Sequence, residues 1–129
     1  MTRSKLLIAI FAGMAIGAVG AEAIRAQTSA PPAYLVAEVK VSNPEPYKAY
    51  SAQVPATLTP FGGRFVAGPA KPEAVEGTPP DGAVVLIEFP NMEKAKAFLD
   101  SPDYAKIRPI RLENATSRIY MVEGRPPAK

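Results

Sequence analysis

The sequence predicts one α+β domain in which the elements follow the order strand, helix, strand, strand, helix, strand. Three observations lead to this prediction. A chain of 129 residues has room for one domain of about 100 residues behind an N-terminal segment. Its 15 prolines and 9 glycines divide that domain into short elements. Between these breaks, the apolar residues recur with the spacing of strands and of helices.

Four segments are predicted to be strands because they are rich in Val, Ile, Leu and Tyr. They span residues 34–41, 64–68, 83–89 and 116–123. The third segment holds consecutive apolar residues from Val84 to Ile87, without the alternation of a strand that has one solvated face. We therefore expect both faces of this strand to be buried.

The first helix is predicted to begin after Asn43, because Asn can cap the free amides and Pro44 suits the first helical position. We expect it to run to about Phe61, with a kink at Pro55, and to end at the glycine pair that follows. Its apolar residues share one face and are Tyr47, Tyr50, Val54, Leu58 and Phe61.

The second helical region is predicted to consist of two pieces. Asn91 caps a helix whose inward-facing residues are Met92, Ala95, Phe98 and Leu99. The segment Ser101-Pro102-Asp103 has the composition of a new helix start. The helix that follows it carries Tyr104, Ile107, Ile110 and Arg111.

This order of elements is typical of a ferredoxin-like βαββαβ sandwich, in which both helices cover one face of the sheet. The apolar third strand then needs a second cover on its other face. The sheet of a second copy is the simplest cover. The sequence therefore predicts a homodimer that packs sheet against sheet.

The N-terminus has the pattern of an export signal. Arg3 and Lys5 precede an uncharged apolar run from Leu6 to Ala21, which is shorter than the roughly 20 residues of a spanning helix. We expect a signal peptide over residues 1–26, a linker over 27–32, the domain over 33–124 and a flexible tail over 125–129. An uncleaved membrane anchor is the alternative for the first segment. Either way, the domain is expected outside the cytoplasm, in the periplasm.

Composition excludes several classes of function. The chain has no His, Cys or Trp, so it cannot by itself form an imidazole-dependent triad, a Cys/His zinc site or a haem site with such a ligand. No phosphate-binding loop, dinucleotide fingerprint or metal-ligand spacing is present. From residue 27 onward, 12 basic residues face 11 acidic ones, without the basic stripe of a nucleic-acid binder. The sequence predicts no cofactor, no metal and no nucleic-acid partner.

A set of short motifs gives the domain a family resemblance. In order, they are Asn43-Pro44-Glu45 with Tyr47 and Tyr50, Phe61-Gly62-Gly63-Arg64, Glu76-Gly77, Ile87-Glu88-Phe89-Pro90, Ser101-Pro102-Asp103-Tyr104, Arg111 and Val122-Glu123-Gly124. Through them, residues 33–124 resemble a bacterial family known as domain of unknown function 1330, within the dimeric α+β barrel superfamily. The resemblance implies the fold and the dimer, and it assigns no catalytic residue. The superfamily includes small oxygenases, isomerases and haem-degrading proteins, but its histidine-dependent versions cannot apply here.

Candidate ligand-binding residues are the polar side chains expected at the cleft between helices and sheet. They are Tyr47, Tyr50, Arg64, Ser101, Tyr104 and Arg111. Tyr104 and Arg111 lie seven residues apart, so on a helix they share a face and could hold an anion or an enolate. Structural roles explain the same residues: the tyrosines as core, Arg64 near a helix end and Ser101 as a cap.

Charged residues inside the strands leave further alternatives open. Arg111 could pair with Glu88 or Glu113 instead of a ligand. Glu38 and Glu88 could be a general acid or base, or structural partners of Lys40 and Arg118.

The sequence therefore allows two functions. The first is a domain that binds a small planar or anionic molecule in the cleft. The alternative is a cofactor-free oxygenase- or isomerase-like enzyme that uses Tyr104 and Arg111, with Glu88 as base. An enclosed cavity entered by several of these polar groups would favour the enzyme, and a filled core would favour binding or a structural role.

Overall fold

The predicted order of elements is confirmed in the computed structural model, which describes residues 30–128. The elements are β1 (Ala33–Val41), α1 (Pro44–Ser51), α2 (Val54–Leu58), a 3₁₀ turn (Thr59–Phe61), β2 (Arg64–Ala70), β3 (Ala83–Phe89), α3 (Met92–Leu99), α4 (Pro102–Asn114) and β4 (Ala115–Glu123). Residues Pro31–Pro126 form one compact unit. The predicted signal peptide lies outside the described residues. No helix within residues 30–128 has the length and hydrophobicity to cross a membrane.

The four strands form one antiparallel sheet in the order β2-β3-β1-β4. β1 and β3 are central, and their register places Leu35 opposite Ile87. On the other side of β1, Leu35 lies opposite Met121. β2 is an edge strand whose pairing with β3 is interrupted by two register shifts. This connectivity is the ferredoxin-like arrangement predicted from the sequence.

The first helical region differs from the prediction. A single helix with a kink was expected from Asn43 to Phe61, but the segment is divided into α1, α2 and the 3₁₀ turn. The break after Ser51 follows from Pro55, because its ring clashes with the carbonyl four residues earlier and it has no amide hydrogen to donate. Gly62 then ends the region with a φ of 71°, a left-handed conformation that glycine adopts easily.

Two of the three predicted helix caps are confirmed. The Asn91 side chain accepts a hydrogen bond from the Lys94 amide at 2.8 Å, and Ser101 Oγ accepts one from the Tyr104 amide at 3.3 Å. The prediction for Asn43 is wrong, since its side chain makes no capping hydrogen bond. Its backbone amide instead donates to the carbonyl of Asn114, 3.2 Å away, and this bond ties the start of α1 to the end of α4.

The core lies between the helices and one face of the sheet. On β1 this face presents Ala33, Leu35, Ala37 and Val39, which alternate with less buried residues. The helices cover it with a second set of buried residues, namely Tyr50, Val54, Leu58, Ala95, Phe98, Tyr104 and Ile107. The largest fully buried side chains are Phe89 and Leu58.

The opposite face of the sheet has no helix over it within the described residues, and we call it the uncovered face. The register places on it Tyr34, Val36 and Glu38 of β1, Val84, Leu86 and Glu88 of β3, and Arg118, Tyr120 and Val122 of β4. Tyr120 is 43% exposed and Val122 52%. In a single chain, Ile87 and Phe89 of β3 are buried on the helix-facing side, while Val84, Leu86 and Glu88 on the uncovered face are half-buried.

Leu58 provides a test of the core. Because its side chain is 1% exposed, we expect Leu58→Ala to lower the free energy of unfolding by about 2–5 kcal/mol. Leu112→Ala is the matched control, since Leu112 is 57% exposed and the same change there should stay within about 0.5 kcal/mol. Urea denaturation of both variants measures the difference, and equal losses would contradict this assignment of the core.

Candidate functional site

A cavity of about 170 Å³ lies between the helices and the sheet. Its floor is formed by the helix-facing residues of the strands, and its roof by α1, α2, α3 and α4. Among the described residues, Arg111 is the one charged residue in its wall. The lining includes five aromatic residues, namely Tyr47, Tyr50, Phe65, Phe98 and Tyr104. The arrangement is an apolar pocket with polar groups at a few points, which is typical of small-molecule sites.

Helix α4 brings Tyr104 and Arg111 to this cavity. The buried residues of α4 are Tyr104, Ile107, Arg111 and Asn114, which recur at intervals of three and four. The predicted shared face of Tyr104 and Arg111 is therefore present, and both side chains line the cavity.

Arg111 is a buried cation without a carboxylate partner in the described part of the chain. It is 5% exposed. Its Nη1 donates a hydrogen bond to Ser117 Oγ, while its buried Nε has no acceptor within residues 30–128. The guanidinium carbon lies 6.0 Å from the centre of the Tyr50 ring, at the limit of a cation–π contact. A buried donor without an acceptor is unfavourable, so this nitrogen can gain by meeting an acceptor in the cavity.

Two phenols stand beside this cation. The hydroxyls of Tyr50 and Tyr104 are 3.0 Å apart and share one hydrogen bond. Burial in apolar surroundings, followed by the neighbouring Tyr104, raises the pKa of Tyr50 well above its ordinary value. The phenol of Tyr50 therefore keeps its proton at neutral pH. Since the shared bond uses one of the two hydroxyl hydrogens, the other is available to an acceptor in the cavity.

Tyr47 forms another part of the wall. Its ring centre lies 5.3 Å from that of Tyr50, and desolvation by burial raises the pKa of its phenol. Phe98 continues the aromatic surface, with its ring centre 4.6 Å from that of Tyr104. The rings form a wall against which a flat molecule can pack edge to face or offset.

Two of the candidate residues do not line the cavity in the described structure. Ser101 caps α4 and also donates from its hydroxyl to the Phe98 carbonyl at 2.7 Å. Arg64 is directed to the uncovered face, where its Nη2 lies 2.9 Å from Oε1 of Glu88. Sequence analysis explained Arg64 by its place near a helix end, and the structure shows that it forms an ion pair.

The structure also separates Glu88 from the cavity. Glu88 lies on the uncovered face, where it accepts hydrogen bonds from Arg64 and from the Tyr34 hydroxyl at 3.1 Å. The predicted pairing of Arg111 with Glu88 or Glu113 is absent among the described ion pairs. Tyr104, Arg111 and Glu88 are not brought together.

Glu38 forms a second cluster on the uncovered face. Arg118 Nη2 lies 2.7 Å from Oε1 of Glu38, and the Tyr120 hydroxyl donates to Oε2 at 2.8 Å. These hydrogen bonds, from Arg118 first and then from Tyr120, hold the pKa of Glu38 below its usual value. The predicted pair with Arg118 is confirmed, but Lys40 pairs with Asp81 and not with a strand glutamate.

Two residues of the site were not predicted from the sequence. Ser117 accepts the hydrogen bond from Arg111, and Phe65 of β2 lines the cavity. The signal for Ser117 is its place in the alternation of β4, since it shares the helix-facing side with Ile119 and Met121. Phe65 had no comparable signal, because β2 is short and irregular.

The fold and the cavity together define a small ferredoxin-like α+β domain with an apolar site between its helices and its sheet. The chain belongs to the family described as domain of unknown function DUF1330, whose model matches residues 32–125. The family resemblance found in the sequence is thereby confirmed. No curated protein matches the chain.

Solved structures share the fold. RPA0582, a protein of unknown function from Rhodopseudomonas palustris, is 21% identical with a TM-score of 0.61, and the match covers 84% of this chain and 93% of that one. SnoaB, a cofactor-independent oxygenase from Streptomyces nogalater, is 16% identical with a TM-score of 0.56, over 76% of this chain and 97% of that one. These likenesses confirm the predicted fold class, a ferredoxin-like α+β domain.

The stability of an Arg111 variant tests whether this residue holds the fold together. Arg111→Met removes a buried charge. Because Arg111 has no carboxylate partner in the described structure, the change leaves no carboxylate unpaired. We expect the free energy of unfolding to stay within about 1 kcal/mol of the wild-type value or to rise above it. Arg108→Met, an exposed change on the same helix, should stay within about 0.5 kcal/mol. A loss of 3 kcal/mol or more in Arg111→Met alone would show that the residue is structural.

Proposed function

We propose that this protein is an exported homodimer that binds a small planar, anionic molecule in the cavity between its helices and its sheet. The observation that carries the binding proposal is Arg111, a nearly fully buried cation whose Nε meets no acceptor among the described residues. Charged groups are rarely buried without a partner. An anion in the cavity would supply that partner.

The neighbouring groups support an acceptor ligand. The one spare hydroxyl hydrogen of the Tyr50–Tyr104 pair is a second donor in the same wall. The rest of the cavity is lined mainly by aliphatic and aromatic side chains, which favour an apolar body on the same molecule. Donors at one place and apolar surface elsewhere suit a small organic anion.

The enzymatic alternative would need a base in the cavity. The sequence offered Glu88 for this role, but Glu88 lies on the other face of the sheet and binds Arg64. Within residues 30–128, no carboxylate lines the cavity, and the chain has no histidine. A cavity entered by several of the candidate polar groups is what the enzymatic alternative expects. Because no base lines this cavity in the described structure, binding is the function that the geometry supports best.

The homodimer is supported by the uncovered face. Its centre is apolar, with Val36, Val84 and Leu86 side by side on β1 and β3. The charges around this centre are already paired, since Glu38 and Glu88 each bind an arginine and a tyrosine. A second copy can therefore cover the face without leaving a charge unpaired.

The proposal of export rests on the first 26 residues. They combine two basic residues, an uncharged apolar run and the small residues that follow it. These residues lie outside the part of the chain that the structure describes.

Ligand binding can be measured by isothermal titration calorimetry on the purified protein with small acids, aromatic and aliphatic, and with their neutral amides. We expect acids to bind and Arg111→Met to weaken their binding at least tenfold, because it removes a charge-assisted donor. Arg108→Met is the matched control and should leave the affinity unchanged. Binding that is equally strong in Arg111→Met, or no binding by any acid, would contradict the proposal.

The homodimer can be tested by sedimentation equilibrium. Leu86→Asp places a charge at the centre of the uncovered face, and we expect it to convert the protein from dimer to monomer. Leu112→Asp is its control, since Leu112 is an exposed residue of α4 in the helical layer, and it should remain a dimer. Circular dichroism checks that both variants are folded. A wild-type protein that sediments as a monomer would exclude the dimer.

A further inference from the structure

The arginines of this domain show how its guanidinium groups bind carboxylates. Arg64 binds Glu88 through Nε at 3.2 Å and Nη2 at 2.9 Å. Arg118 binds Glu38 through the same two nitrogens, at 3.2 Å and 2.7 Å. Arg111 uses its Nη1 for Ser117, and its Nε and Nη2 edge has no partner within residues 30–128. The edge that holds a carboxylate in the other two residues is thus the edge left without a partner in Arg111, and Arg111 lines the cavity.

The shape of the site favours a flat, compact body on that carboxylate. A dry apolar cavity of about 150 Å³ accommodates benzene, so a cavity of about 170 Å³ has room for one ring and a small substituent. Aromatic rings on its wall add favourable edge-to-face contacts with such a ring. A rigid ring also loses less conformational freedom on binding than an alkyl chain of similar size.

The cavity has a polar inner end and an apolar mouth. Arg111 lies on the side of β4, where Ser117 is located. Tyr50 lies next to Arg111 and its hydroxyl is hydrogen-bonded to that of Tyr104, and all three residues are buried. Phe65 lies on β2 at the opposite edge of the sheet from β4, with β3 and β1 between them. Phe65 lines the cavity and is 39% exposed. A ligand held at Arg111 therefore has its far end directed to an apolar opening.

We infer that the ligand is a monocarboxylate on a single aromatic ring, of the benzoate class, and that it enters with its carboxylate first. This inference rests on the proposed function and narrows it. The carboxylate lies against the Nε and Nη2 edge of Arg111 and accepts the spare hydroxyl hydrogen of the Tyr50–Tyr104 pair. The ring packs on the aromatic wall, and its para position points to Phe65.

Titration calorimetry with matched probes tests the class. We expect benzoate to bind at least tenfold more tightly than benzamide, which has the same shape without the charge. Hexanoate, a flexible acid, should bind more weakly than benzoate. In Arg111→Met the preference of benzoate over benzamide should disappear, while Arg108→Met should keep it.

Substituted probes test the direction of entry. 4-Ethylbenzoate should bind two- to fourfold more tightly than benzoate, because a buried methylene is worth up to about fourfold in affinity. 2-Ethylbenzoate should bind more weakly, since its substituent falls against the inner wall. Phe65→Ala should remove the gain of the 4-ethyl group over benzoate. Val66→Ala is the control, because Val66 is also 39% exposed but is outside the described lining of the cavity.

The outcomes separate this inference from the proposed function. If hexanoate binds as tightly as benzoate and both depend on Arg111, the aromatic class is wrong while anion binding stands. If 2-ethylbenzoate is accepted and 4-ethylbenzoate is rejected, the direction of entry is wrong. If no acid of either kind binds, the proposed function itself is overturned.

Discussion

The alternation of side chains along β1 and β3 is the constraint on which the rest of this structure depends. Because successive residues of a strand point to opposite faces, the sheet separates two kinds of surface. Leu35 and Ile87 face the helices and help to form the cavity. Glu38 and Glu88 occupy positions of the opposite parity and therefore lie on the uncovered face. A shift of one residue in the register would exchange these surfaces and place carboxylates in the core.

This separation gives the arginines of the domain different roles. Arg64 and Arg118 lie on the face that also carries Glu88 and Glu38, and each has a carboxylate within hydrogen-bonding distance. Arg111 reaches the helix-facing side from α4, where the described lining contains no acidic residue. Its burial is therefore not explained by an ion pair within the described fold. That difference, and not the presence of arginine as such, makes the cavity the candidate site.

The sequence predicted most of the fold because its signals are local. Strand composition, the caps at Asn91 and Ser101, and the seven-residue interval between Tyr104 and Arg111 each act within a few residues. For the first helix, the sequence predicted a kink where the structure has a break, because the pattern of apolar residues continues across Pro55. The partners of charged residues could not be predicted from one strand alone. Glu88 meets Arg64 through the register of β2 with β3, which is fixed only when the whole sheet forms.

The floor of the cavity is formed partly by Ala37 and Ala83, at sheet positions where larger aliphatic side chains would also fit a strand. Small domains have a net stability of about 5–15 kcal/mol, so the apolar contacts that these small side chains do not make matter to the fold. A chain selected for stability alone would fill that space with methyl groups. Retaining the cavity makes the domain less stable than a filled core would, and a molecule bound in it would stabilise the domain.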